Sequence, residues 1–210
     1  RKDAMGEAVQ SIKAADVGIS GIKTLLESAS GLVESARSAT TADRSALGTQ
    51  FSQILIKIND LIEDSSYKGV NYLQNGSLTV LFNEDGSNAL TVTGFTANVG
   101  VSGLGVVASG ADISAGGSAL DAAASQIQVA LTTLTTQASI LASNLSVING
   151  RLDFTTNLVN VLKEGADKLT LADMNEESAN MLALQTRQNL GVTSLSLASQ
   201  AAQSVLRLFG

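Results

Sequence analysis

From Met5 to Ala39 the apolar residues return at steps of three and four. Met5, Ala8, Ile12, Ala15, Ile19, Ile22, Leu26, Ala29, Val33 and Ala36 form an unbroken run of ten. A mean step of about 3.5 residues is that of a coiled-coil seam, so the pattern predicts one long helix. Lys13, Asp16, Lys23, Glu27, Glu34 and Arg37 fall between or beside the seam positions. Gly6, Gly18, Gly21 and Gly31 each cost such a helix about 1 kcal/mol relative to Ala, which points to close approach of a neighbouring helix. Thr40-Thr41-Ala42-Asp43 is a break rich in capping residues. Leu47, Phe51, Ile54, Ile58 and Leu61 then predict a second helix ending near Asp64. The short break folds it back antiparallel on the first.

The period then changes. Leu78, Val80 and Phe82 alternate with Thr79 and Leu81, and Leu90 and Val92 alternate with Thr91 and Thr93. With the polar segment from Asn83 to Asn88 between them, these predict a β-hairpin. From Gly94 to Gly117 seven of 24 residues are Gly, so little regular structure is expected there. A longer helix is expected from about Ser118. Its seam runs Ile127, Leu131, Leu134, Ala138, Leu141, Leu145, Ile148, Leu152, Thr155, Val159, Leu162. A weak break follows at Gly165 to Thr170, and a final helix from Asp173 to Phe209. That last helix carries two stripes. One is Leu184, Leu195, Ala198, Ala202, Val205 and Phe209; the other is Leu190, Leu197 and Leu208. So wide an apolar surface needs partners on more than one side, and no second helix of like character occurs in the chain. The fold class expected is mainly α: a long antiparallel helical rod, a coiled-coil-like bundle, with a small β-hairpin and a C-terminal helix.

Composition narrows the function. The chain has 210 residues with no Cys, His, Pro or Trp. Ser-His-Asp catalysis, thiolate chemistry and His or Cys metal sites are thereby excluded. A net charge of -6 argues against nucleic-acid binding, which requires basic clusters. Only seven residues are aromatic, five Phe and two Tyr. Such a chain is better suited to long helices packed by small side chains than to a bulky core. The longest charge-free stretch, Ala122 to Gly150, holds 13 Ser, Thr, Asn or Gln among 29 residues, too polar for membrane insertion. Asp173, Glu176 and Glu177 fit a helix start, where carboxylates favour the positive dipole end, better than a metal site. The Asn83–Asn88 segment lacks the ligand spacing of a calcium loop and reads as a turn. No cofactor is expected, and the chain is not read as an enzyme.

The residues also resemble a known family. Met181-Leu182-Ala183-Leu184-Gln185-Thr186-Arg187-Gln188-Asn189-Leu190-Gly191-Val192 and Ser199-Gln200-Ala201-Ala202-Gln203-Ser204-Val205-Leu206-Arg207-Leu208-Phe209 resemble the C-terminal helix of bacterial flagellins, of the short alphaproteobacterial kind. Asp173 to Ala179 resembles the opening of that helix. Tyr67-Lys68-Gly69-Val70 resembles the aromatic-Asn-Gly-Val turn after the second helix, with Lys68 in place of Asn.

The resemblance implies a structural subunit that polymerises into the flagellar filament, secreted and extracellular. It implies a rod domain over residues 1–168, with the hairpin region at about 70–117. Residues 169–210 would form the C-terminal half of an inner core domain whose other half is a helix preceding Arg1. Leu184, Leu190, Leu195, Leu197, Leu206 and Phe209 are the candidate self-assembly or chaperone contacts. Partners implied are other flagellin subunits, an export chaperone on the C-terminal helix and the export apparatus. Recognition by Toll-like receptor 5 is expected to be weak. The family's receptor-contacting Glu falls at Gln50, and its Arg and Leu fall at Val33 and Ser35. A hook–filament junction protein, or a secreted helical adaptor with no filament role, are the alternatives.

Overall fold

The computed structural model describes residues 2–83, 85–170 and 174–210, with Phe209 described by its backbone alone. Among the described residues, five helices and one hairpin follow in order. They are α1 (Lys2–Ser38), α2 (Thr41–Asp64), β1 (Ser77–Leu81), β2 (Ala89–Thr93), α3 (Gly110–Ala115), α4 (Ser118–Thr170) and α5 (Met174–Phe209). The chain divides into two units, Arg1–Thr156 and Asn157–Gly210.

In the first unit all ten residues of the α1 seam are buried. Each large apolar side chain among them contributes about 1.5–3 kcal/mol on full burial. Thr40 caps α2, its hydroxyl accepting from the Asp43 amide at 3.3 Å. The buried residues of α2 are Gly48, Phe51, Ile58 and Ile62. Leu47, Ile54 and Leu61, expected in the seam, pack partly exposed along its edges.

Two of the four α1 glycines serve close approach. A Cβ at Gly18 would lie 2.2 Å from Ser65 Oγ, and one at Gly21 2.7 Å from Leu61 Cδ2. At Gly6 and Gly31 a Cβ would meet nothing within 4 Å, so close packing against this chain does not explain them.

α4 lies antiparallel to α1. Lys23 Nζ donates to Thr135 Oγ1 at 3.0 Å and Arg37 Nη1 donates to Asp121 Oδ1 at 2.6 Å. Fourteen residues forward on α1 thus match fourteen backward on α4. Ile127, Leu134, Leu141 and Ile148, a heptad apart, are buried, and Leu131, Ala138, Leu145 and Leu152 are partly buried. In this register Lys2 is level with Thr156. From Asn157 to Thr170 every residue of α4 is exposed. Val159 and Leu162, expected as seam residues, are among them. The break expected at Gly165 is absent too, because α4 continues to Thr170. One interior glycine costs about 1 kcal/mol, too little to end a long helix.

The hairpin pairs Leu78 with Val92 and Val80 with Leu90. Val80 and Val92 are buried, while Thr79 and Thr91 hydrogen-bond on the exposed face at 3.0 Å. The Asp85 carboxylate accepts from the amide and hydroxyl of Ser87. Those bonds hold it below the usual carboxylate range, backbone bond first. This carboxylate is engaged within its own turn.

The Gly-rich segment contains one element unforeseen from periodicity, α3. A capping box formed by Ser109 and Asp112 starts it. The surrounding chain is tied down by side-chain acceptors. Asn59 Oδ1 accepts from the Val99 amide at 3.1 Å, and Gln126 Oε1 from the Val107 and Ala108 amides at 3.0 and 2.9 Å. α3 crosses α2 at Gly48 and Gly110. A Cβ at Gly48 would fall 2.2 Å from the Gly110 carbonyl oxygen.

Candidate assembly surface

α5 starts with Glu176 and Glu177 in its first turn and ends with Arg207 in its last, each sign at the favourable end of the helix dipole. Eleven residues of an α-helix make just over three whole turns, so Leu184, Leu195 and Leu206 share one azimuth to within about 20° per step. Ala198, Ala202 and Val205 lie on the same side. Leu190, Leu197 and Leu208 occupy a separate face, about 120° round the helix.

Burial decides what these faces are. Leu184, Leu190, Leu195, Leu197 and Leu206 are between 61% and 74% exposed. The Phe209 side chain and Asp173 lie outside the described residues. Every described side chain of the second unit is exposed, including Val161, Leu162 and Leu169 at the end of α4. A helix of this length in water draws most of its stability from packing an apolar face. Here two such faces have no partner among the described residues. Clusters of His, Cys, Asp or Glu able to hold a metal are absent among the described residues. No described helix is long and apolar enough to cross a membrane.

The chemistry this arrangement supports is association. The five leucines are brought onto one helix, as expected, and presented outward.

The sequence is 31% identical over 220 residues to a flagellin of Brucella melitensis, covering 99% of this chain and 77% of the relative. The chain belongs to the flagellin family. Residues 124–209 match the family's bacterial flagellin C-terminal helical region. Flagellin FljM of Caulobacter vibrioides is 31% identical over 180 residues, 85% of this chain and 64% of its own length. Flagellin C of Rhizobium meliloti is 50% identical over 56 residues, 27% of this chain and 17% of its own length. The chain thus spans less than two thirds of several relatives it matches. The crystal structure of Bacillus cereus flagellin superposes with a TM-score of 0.64 at 14% identity, covering 77% of this chain and 95% of that one. That likeness shows a shared fold. Flagellins are a structural protein family, and the family and fold favour neither a hook–filament junction protein nor an adaptor.

Of the three positions aligned with receptor contacts, Gln50 and Ser35 are exposed. Val33 is buried in the α1 seam.

Proposed function

We propose that this chain is a structural subunit of the extracellular bacterial flagellar filament and polymerises with other flagellin subunits. The observation that carries the reading is α5, whose two apolar faces are exposed together in a chain that belongs to the flagellin family. Residues 1–168 act as the rod, following α4 along its length, and residues 169–210 as part of the inner core. Leu184, Leu190, Leu195, Leu197, Leu206 and Phe209 supply the intersubunit contacts. Before assembly the same helix is held by an export chaperone and passes the export apparatus unfolded, a route open to a chain without Cys. Recognition by Toll-like receptor 5 is weak, a reading that rests on Gln50, Val33 and Ser35. A reporter-cell assay at concentrations where enterobacterial flagellins activate would reverse that point by giving full activation.

Electron microscopy of the full-length protein tests the main reading. Helical tubes with a regular subunit repeat are expected. Discrete soluble oligomers under polymerising conditions would instead favour the secreted adaptor.

A further inference from the structure

The protein has three methionines, and they sit in opposite environments. Met5 is 0% exposed, at the start of the α1 seam. Met174 and Met181 are 74% and 65% exposed, one heptad apart on α5. Seven-residue steps place them in line with Gln188 and Leu195, so they border the face carrying Leu184, Leu195 and Leu206. A thioether at this place packs as a soft apolar side chain when the face is covered. While the face is open its sulfur is in water. We propose that Met174 and Met181 are oxidation sites of the free subunit, and that sulfoxide at Met181 blocks assembly through α5. The second half rests on the filament reading above.

The chemistry requires a two-electron oxidant of the peroxide class. A lone pair on Met181 Sδ attacks one peroxide oxygen, the O–O bond breaks, and an S–O bond forms. The departing oxygen takes the remaining proton and leaves as water. Sulfur is oxidised to the sulfoxide and the peroxide is reduced. The product is polar and stereogenic, and methionine sulfoxide reductases reverse it. A polar S=O forced into an apolar seam without a hydrogen-bond donor opposes burial. Assembly protects the same sulfur by covering it. Oxidation thus acts on subunits before they join, not on those already packed.

The test uses the full-length protein, treated as monomer with hydrogen peroxide, quenched with catalase and mapped by peptide mass spectrometry. Met174 and Met181 are expected to oxidise at least about tenfold faster than Met5, following exposure. Treated monomer added to filament seeds should pellet about tenfold less than untreated monomer, the effect of one polar group stranded in an apolar contact. Met181→Leu should assemble equally before and after peroxide. Met174→Leu should remain sensitive, and reductase treatment of the wild type should restore pelleting. Equal oxidation of all three methionines overturns the site assignment. Normal assembly of protein with Met181 fully oxidised, or loss of assembly by treated Met181→Leu, overturns the assembly consequence. Failure of untreated protein to pellet with seeds overturns the filament reading and the consequence with it, while the oxidation rates still decide the site assignment.

Discussion

Lys68 occupies the left-handed region at φ 48°, followed by Gly69 at φ 82°. Tyr67 and Val70 exchange both backbone hydrogen bonds across them, at 2.9 and 3.0 Å. Such a turn prefers Asn-Gly, because Asn tolerates positive φ and Lys does not. Lys68 gains an ion pair with Glu7, but both side chains are more than half exposed, so the pair contributes little. Lys68→Asn is expected to raise stability by about 0.5–1 kcal/mol, read as a higher urea midpoint with unchanged slope. No gain would mean the ion pair offsets the strain. Glycines give a sharper contrast of sign. Gly48→Ala drives a Cβ onto the backbone oxygen of Gly110, an atom that cannot rotate away. It should destabilise by about 1–3 kcal/mol, as overpacking does. Gly31→Ala meets open space and should stabilise by up to about 1 kcal/mol. Thermal unfolding of the two variants, shifting in opposite directions, checks both. The sequence alone marked Gly31 and Gly18 alike. Only the position of α2 separates them, and that position follows from long-range packing rather than from local pattern.

Among the elements, α1 and the first part of α4 were fully legible. Each has an apolar period sustained over several heptads; burial follows it residue by residue from Met5 to Ala36, and from Ile127 to Ile148 the seam residues are alternately buried and partly buried. The hairpin was legible too, since its period of two is bounded by polar turn residues. α3 was not. It is too short for any period to show, and only the Ser109 and Asp112 spacing announced it. The far end of the α4 seam was misread for the opposite reason. Periodicity says that a face is apolar, not that something covers it. Hydrogen exchange should display this difference within the free protein. Amides from Ile127 to Ile148 open only with loss of the α1 contacts and should exchange slowly. Amides from Asn175 to Leu208 sit on a helix whose described side chains are all exposed and should exchange fast, since local opening there exposes little new apolar surface. Equal protection in the two segments would show that α5 has a partner in the monomer.

At the scale of the whole molecule the two units put the same kind of residue to different uses. In Arg1–Thr156 apolar side chains close a core within the chain; in Asn157–Gly210 they remain open. Truncation of one leucine in each should therefore fail in different assays. Leu134 is 0% exposed, and Leu134→Ala is expected to cost the monomer about 2–5 kcal/mol through lost transfer energy and a residual cavity. Leu195 is 74% exposed, so Leu195→Ala removes no monomer contact and should leave the unfolding midpoint almost unchanged. If the Leu195 face is buried between subunits, the same truncation forfeits about 2 kcal/mol per subunit added. That raises the critical concentration for polymerisation by a factor of roughly 30. Unfolding of the monomer and pelleting above seeds, measured on both variants, separate the two roles. A Leu195→Ala protein that melts early would place α5 in the monomer core. One that polymerises at the wild-type concentration would remove Leu195 from the interface.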